Sequence, residues 1–230
     1  MTNKIKKILL YINDKFRTLF ISFLSDKNKF KFIYKNKYWQ NIENGSLSGS
    51  GSNEDTTKNL IKELSTFVKD KEIKTILDIP CGDWRWISKI NLDGKRYIGA
   101  DIVPDLITEN TKKYTNDNVK FKCLDLKTDI LPNSDLIIVR DLLFHLTIQD
   151  IEKCLKNIFK HNFKFIAITN HNTDLSNQNT YVGDRWRPIN LLKSPFNLPE
   201  PNYKLSDYST NNPHDINKVL AIWDKDSFTF

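Results

Sequence analysis

The sequence has few cysteines and no long apolar run. Its three cysteines, Cys81, Cys123 and Cys154, are odd in number, and their spacing fits no zinc site. This excludes a disulfide framework and indicates a reducing, cytoplasmic compartment. The early apolar run, residues 8–12, is too short to span a membrane, and no small-residue cleavage site of a signal peptide follows it.

The excess of positive over negative charge is confined to the N-terminal region. Residues 1–40 hold ten of the 35 Lys and Arg residues and only two acids, so the remaining chain is close to neutral. A nucleic-acid-binding domain normally carries its basic residues on the folded body. We therefore predict no nucleic-acid partner.

The basic region has the pattern of an amphipathic helix. Between residues 4 and 24, apolar side chains recur at helical spacing with lysines between them. We predict a helical arm over 1–44, followed by a separate domain over 45–230. The arm either packs on this domain or a second subunit, or lies peripherally on the anionic inner face of the membrane. The Ser/Gly stretch 46–52, which includes Ser50, is either a linker or a flap over a ligand.

From residue 75 onward, short apolar strands alternate with helices, which predicts an α/β fold with a parallel sheet. The C-terminal strands are separated only by a short polar loop, so they form an antiparallel hairpin and complete a mostly parallel seven-stranded sheet. Ser52 and Asp55 predict the start of a helix whose apolar face covers 60–68. The predicted strands are 75–79, 96–101, 119–124, 135–140, 163–169, 204–208 and 218–223, and the later helices are 84–90, 105–114 and 149–159.

Polar residues follow four successive strands, at the edge where open parallel sheets bind ligands. Gly82 permits a turn close to a ligand, and Asp101 stands 19 residues later, where an acid suits ribose hydroxyls. Asp125 can accept a hydrogen bond from an adenine amino group. Arg140 and Asp141 follow the fourth strand.

This order of residues resembles the class I S-adenosylmethionine-dependent methyltransferases, as does the closing hairpin. The resemblance implies a Rossmann-like fold and S-adenosylmethionine as cofactor. The cofactor-binding residues that it implies are Asp78, Pro80, Cys81, Gly82, Asp83, Trp84, Trp86, Asp101, Ile102, Asp125, Leu126 and Arg140.

Three motifs are similar to a bacterial subgroup associated with surface-polysaccharide modification, including O-methylation of a capsular phosphoramidate. They are residues 78–83 with Trp86, residues 140–146, and residues 183–191. The resemblance implies a small-molecule, nucleotide-linked or glycan-linked acceptor. One departure is Trp84, which stands where the family has a third glycine. Without that glycine a dinucleotide pyrophosphate is disfavoured, whereas a donor without phosphate tolerates the change.

His145 is the candidate base for an acceptor hydroxyl, with Asp141 at i+4 to orient it if the stretch is helical. Arg140 completes the candidate catalytic group. An anionic acceptor oxygen needs no base and would instead be held by arginine. The candidate substrate-binding residues are Ser50, Trp84, Arg85, His145, His171, Arg185, Trp186 and Arg187.

A metal site and two other functions are the alternatives to these predictions. His171 and Asp174 lack a third ligand at suitable spacing, so we predict no metal site. A protein or RNA methyltransferase is a second enzyme hypothesis, although the near-neutral body argues against RNA. A non-catalytic, methyltransferase-like binding subunit is the third, and the acids at Asp78, Asp101 and Asp125 argue against it.

Overall fold

A seven-stranded sheet forms the centre of the molecule. The computed structural model describes residues 21–40, 45–183, 185–208 and 217–228. The strand order is β3-β2-β1-β4-β5-β7-β6; β1 to β5 are parallel, and β7 runs antiparallel between β5 and β6. This confirms the predicted α/β fold with a closing antiparallel pair. The strands are β1 Thr75–Asp78, β2 Arg96–Asp101, β3 Val119–Cys123, β4 Leu136–Val139, β5 Phe165–His171, β6 Tyr203–Ser206 and β7 Lys218–Asp224.

Four α-helices flank this sheet in the described ranges. The segment before the sheet supplies two of them, and the connections between parallel strands supply the other two. They are α1 Asp26–Lys35, α2 Glu54–Asp70, α3 Pro104–Tyr114 and α4 Ile148–Phe159. No described helix is long and apolar enough to cross a membrane. The part of the predicted arm before residue 21 lies outside the described residues.

The sheet is buried on both faces, as the apolar strand sequences require. Alternate residues of β4 belong to opposite hydrophobic clusters: Ile137 packs on one face, and Ile138 on the other. Phe30 and Ile33 of α1 join the same cluster as Ile137. The described part of the N-terminal region is therefore packed into the core that the sheet organises.

Two predicted helix features are wrong. The predicted helix 84–90 is reduced to a single 3₁₀ turn, Ile87–Lys89. Trp84 adopts a left-handed backbone (φ 56°), which an α-helix cannot continue through. Helix α2 begins at Glu54 after Asn53, because Ser52 belongs to a preceding 3₁₀ turn. The predicted Ser52–Asp55 capping pair is therefore not the start of this helix.

We expect Ile138→Ala to lower the free energy of unfolding by about 2–5 kcal/mol, because Ile138 is fully buried and its loss leaves a cavity. Ile130→Ala is the matched control, since that side chain is 85% exposed. Urea denaturation of both variants measures the difference. Equal loss in the two variants would contradict the described burial of β4.

Candidate functional site

A cavity of about 270 Å³ opens at the carboxyl ends of β1, β2 and β4. Because β1 lies between β2 and β4, the strand order reverses at β1. Open α/β sheets bind ligands at the carboxyl ends of the strands next to such a reversal. The floor comes from the segments that follow these strands, namely Pro80–Gly82, Asp101–Ile102 and Arg140–Leu142. The structure thus brings the ends of three predicted strands to one site.

The roof of the cavity comes from the segment that precedes the sheet. Phe30 and Tyr34 of α1, Trp39, and the loop Ser48–Ser52 all line it. The Tyr34 hydroxyl lies 3.0 Å from Ser48 Oγ, which joins α1 to the loop. The Ser/Gly stretch therefore covers the cavity, as the flap alternative predicted, and Ser50 is among its lining residues.

Asp83 holds this covering loop in place. Its carboxylate accepts hydrogen bonds from the Leu47 amide at 2.8 Å and from Ser46 Oγ at 2.9 Å. Ser48 Oγ in turn accepts a bond from the Asp83 amide at 3.2 Å. The sequence analysis placed Asp83 at the cofactor. The structure shows its carboxylate engaged with the loop above.

Gly82 lies where this loop meets the turn after β1. Its backbone is left-handed (φ 55°), and a Cβ at this position would collide with Ser48 Oγ. Any larger residue here would strain the turn and displace the loop. Trp84, the residue at the missing-glycine position, keeps the left-handed conformation that glycine adopts easily.

Asp101 and Asp78 place two buried carboxylates beside this turn. Asp101 accepts bonds from the Val103 amide at 3.0 Å and the Gly82 amide at 3.3 Å. Burial outweighs these bonds and raises the pKa of Asp101 to about 6. Asp78 accepts a 2.6 Å bond from the Tyr97 hydroxyl, and burial raises its pKa to about 7. Asp101 lines the cavity, whereas Asp78 lies beneath it in the core.

Asp125 and Leu126 line a smaller apolar recess next to the main cavity, with a volume of about 40 Å³. Phe30, Pro80 and Ile102 border both spaces. The recess therefore adjoins the cavity along the ends of β1 and β2. The three predicted strand-end features, the glycine turn, Asp101 and Asp125, lie along one continuous surface.

Arg140 belongs to a buried cluster of four charged residues. It donates to Asp207 through Nε at 3.0 Å and Nη2 at 2.6 Å, and its Nη1 lies 3.1 Å from Asp141. Lys218 Nζ lies 3.2 Å from Asp141 and 3.7 Å from Asp207. The guanidinium also packs over the Trp86 ring at 4.8 Å. Arg140 was predicted to contact the cofactor or substrate, but its described contacts hold the site together.

The sequence analysis missed Lys218 and Asp207. Lys218 lines the cavity because β7 is antiparallel, so its first residue lies at the same edge as the last residues of the parallel strands. The predicted C-terminal hairpin already implied that the strand starting at residue 218 begins at this edge. Asp207 follows β6 directly and was predicted as part of a strand.

His145 ends a 3₁₀ turn, Leu143–His145, and lines the cavity. Its Nδ1 lies 2.9 Å from the carbonyl oxygen of Arg185. Because a carbonyl only accepts, Nδ1 carries the proton, and in its neutral form the ring then has its lone pair on Nε2. The stretch is not the α-helix on which the expected pairing with Asp141 depended. The Arg185 carbonyl orients the imidazole, and Asp141 bonds Lys218 instead.

Aromatic rings form one side of the cavity. Trp39 stacks on His145 with ring centres 4.8 Å apart, and Phe144 lies between His145 and Trp186, at 4.5 Å and 6.3 Å. Trp186 was predicted for the substrate, and it lines the cavity at its exposed rim. Trp39 was not predicted, because it lies in the segment 1–44 that was assigned to the arm.

Several predicted substrate residues lie elsewhere. Arg187 is buried and donates to the carbonyls of Leu146 at 2.6 Å and Gln178 at 3.1 Å; its burial lowers its pKa to about 10. The Arg185 guanidinium donates to the Tyr181 hydroxyl at 2.6 Å.

His171 and Trp84 also serve as packing residues, and Arg85 is exposed. His171 is buried, and its Nδ1 lies 3.2 Å from the Ile189 amide. Trp84 packs against Tyr114 at 4.8 Å, on the far side of the turn. In the described ranges, no three His, Cys, Asp or Glu side chains could hold a metal ion together.

Residues 76–162 match the family model described as a methyltransferase domain. The match covers less than half of the 230-residue chain. Its fold is similar to that of magnesium protoporphyrin IX methyltransferase from Synechocystis, solved with bound S-adenosylmethionine. That likeness has a TM-score of 0.51 at 12% identity and covers 68% of this chain and 81% of that one.

A second similar structure is human N-acetylserotonin methyltransferase in complex with S-adenosylmethionine, with a TM-score of 0.48 and 16% identity. It covers 66% of this chain, which spans 43% of the human enzyme. The comparison with curated proteins gives no match. Residues 76–162 thus resemble a methyltransferase domain in sequence, and the fold of the chain is Rossmann-like.

We expect Asp83→Ala to release the loop above the cavity. Hydrogen bonds to a charged group contribute about 1.5–3 kcal/mol each, so amide protection in residues 46–52 should fall at least about tenfold. Hydrogen exchange with mass spectrometry measures this change. Asp93→Ala, at an exposed turn, is the control. Unchanged exchange in Asp83→Ala would show that the carboxylate does not hold the loop.

Proposed function

We propose that this chain is an S-adenosylmethionine-dependent O-methyltransferase. The observation that carries the proposal is Asp101, a buried carboxylate at the end of β2 that lines a cavity beside the Gly82 turn. An acid in this position is suited to bind the two ribose hydroxyls of a nucleoside. The methyltransferase family model and the fold support the same conclusion.

The residues around the cavity fit this cofactor. Asp125 and Leu126 line the apolar recess beside the cavity, where Asp125 can accept from an adenine amino group at its border, and Asp101 is placed for the ribose. Asp78 Oδ1 is buried and has no hydrogen-bond partner among the described residues. Two carboxylates beneath the turn favour a ligand that carries positive charge, as the sulfonium and amino groups of S-adenosylmethionine do.

When bound, the cofactor supplies an electrophilic methyl group. The chain contributes alignment, exclusion of water and a proton acceptor. The roof of aromatic rings and the loop 46–52 shield the cavity from solvent. His145 Nε2 would take the proton of an acceptor hydroxyl, while the Arg185 carbonyl holds the ring. The products are S-adenosylhomocysteine and a methyl ether.

For the acceptor, we propose a small-molecule, nucleotide-linked or glycan-linked group in surface (capsular) polysaccharide biosynthesis. This is supported by the similarity of the three sequence motifs to that bacterial subgroup. The reacting oxygen is either a hydroxyl or an anionic phosphoramidate oxygen. In this proposal the enzyme works in the cytoplasm, and its basic arm brings it to the inner face of the membrane or joins two subunits.

Calorimetry with S-adenosylhomocysteine tests cofactor binding. We expect binding by the wild type and a loss of at least about tenfold in Asp101→Ala, which removes two charge-assisted hydrogen bonds. Glu109→Ala, on the exposed face of α3, is the control. Absence of binding by the wild type would reject the enzyme and favour a non-catalytic subunit.

The pH dependence of this affinity follows from the raised pKa of Asp101. As the pH falls through about 6, the carboxylate is protonated and loses its acceptor role, so the affinity should fall as well. The stability of the free protein depends on pH in the opposite direction, because the folded state binds the proton more tightly than the unfolded state. Asp101 therefore stabilises the free protein less as the pH rises from about 4 to 6. Calorimetry from pH 5 to 8 measures the affinity for S-adenosylhomocysteine. The control is Asp101→Asn, whose affinity should not depend on pH in this range.

His145→Ala should leave the affinity for S-adenosylhomocysteine nearly unchanged while abolishing methylation of a hydroxyl acceptor. The physical reason is that only proton transfer is lost. Production of S-adenosylhomocysteine in the presence of an acceptor measures turnover. Turnover at the wild-type rate would exclude His145 as the base and favour an acceptor that is already anionic.

A further inference from the structure

The positive charges of the cavity are already neutralised by neighbouring carboxylates. Arg140 and Lys218 line the space, and Asp141 lies within 3.3 Å of both. Asp207 adds a second carboxylate at 2.6 Å from Arg140 and 3.7 Å from Lys218. Burial alone would raise the pKa of Asp141, but the two cations outweigh it and hold the pKa below its usual value. The carboxylate is therefore charged and balances them.

The arginines predicted to hold an anionic acceptor are committed elsewhere. Arg187 donates hydrogen bonds to backbone carbonyls, and the Arg185 guanidinium donates to the Tyr181 hydroxyl. An acceptor phosphate entering this cavity would meet the Asp141 carboxylate, and the Arg140 guanidinium beside it is already paired with Asp141 and Asp207. Burying a second anion there would be costly.

The pair formed by Asp141 and Lys218 suits neutral hydroxyl groups. A carboxylate and an ammonium 3.2 Å apart offer an acceptor and a donor side by side, which matches two adjacent hydroxyls of a ring. Asp141 is held in place by Thr169, whose Oγ1 accepts from the Asp141 amide at 2.9 Å. Its backbone is left-handed (φ 55°), a strained conformation that a non-glycine residue keeps where the surrounding structure imposes it.

The covering loop is fitted to this pair. The Gly51 carbonyl accepts a 2.7 Å bond from Arg140, and a Cβ on Gly51 would lie 2.7 Å from Asp141 Oδ2. The loop can therefore approach the pair only because residue 51 has no side chain. Ser50, its neighbour, adds a hydroxyl to the cavity wall.

An apolar aromatic surface faces the same space. Trp186 is 38% exposed and lines the cavity together with Phe144 and the Trp39–His145 stack. The cavity thus has the Asp141–Lys218 pair on one side and aromatic rings on the other. This suits a ring-shaped ligand with hydroxyls at its edge and C–H groups on its face.

We propose that the methyl acceptor is an uncharged polyhydroxylated ring, such as a pyranose, whose hydroxyls bind Asp141 and Lys218 and whose face packs on Trp186. This inference rests on the proposed function and narrows it to a hydroxyl acceptor. It assigns Lys218 as a specificity-determining residue. It also gives His145 a proton to accept.

Saturation-transfer NMR on the full chain with S-adenosylhomocysteine tests the acceptor class. The probes are the methyl α-pyranosides of glucose, galactose and mannose, each compared with its hexose 1-phosphate. We expect saturation of the ring protons of at least one methyl glycoside and weaker saturation of its phosphate. Stronger binding of the phosphates, or no saturation of any glycoside, would overturn the proposal.

Trp186→Leu tests the binding surface without disturbing the core, because the side chain lies at the exposed rim. Glycoside affinity should fall about fivefold, and affinity for S-adenosylhomocysteine should stay unchanged. Tyr208→Leu, another exposed aromatic residue, is the matched control. Unchanged glycoside affinity in Trp186→Leu would contradict the proposed surface.

Lys218→Met tests the polar pair. It should lose glycoside affinity, with circular dichroism as the check on folding. If this buried cluster fails to fold without Lys218, the Trp186 result decides the proposal. Wild-type protein that binds no S-adenosylhomocysteine would reject the proposed function itself, whereas cofactor binding without glycoside binding would reject only the acceptor class.

Discussion

The buried cluster of Arg140, Asp141, Asp207 and Lys218 is the interaction on which the site depends. It joins the end of β4 to the two antiparallel strands and, through the Gly51 carbonyl, to the loop that covers the cavity. Removing one member of such a cluster leaves a buried charge without its partner, which typically costs about 3–5 kcal/mol. The cluster therefore fixes the relative positions of three segments that are distant in the sequence.

The fold was largely predictable because its signals are local. Apolar runs such as residues 136–139 and 166–168 identify strands buried on both faces, and the short loop before Lys218 identifies the hairpin. The helix expected at 84–90 failed for a tertiary reason. Trp84 turns its ring toward Tyr114 and takes a left-handed backbone, which no local propensity indicates.

The site was predictable where it follows the strand ends. Asp101 and Gly82 line the cavity because parallel strands end at one edge. Contacts between distant segments could not be derived in this way. Arg187 looked like an oxyanion ligand, yet its guanidinium supports the backbone around residues 143–146. Sequence chemistry shows what a side chain can bind, but tertiary packing decides what it reaches.

The residues that line the cavity come from two parts of the chain. Residues 76–162, the part that matches the family model, supply the glycine turn, Asp101 and His145. Trp39, Ser50, Trp186 and Lys218 come from the flanking segments on both sides. Such a division allows the flanking segments to diverge while the central part stays intact. Substitutions in the flanking segments would then change which ligand the cavity binds. Relatives that share only the central segment therefore need not share a substrate.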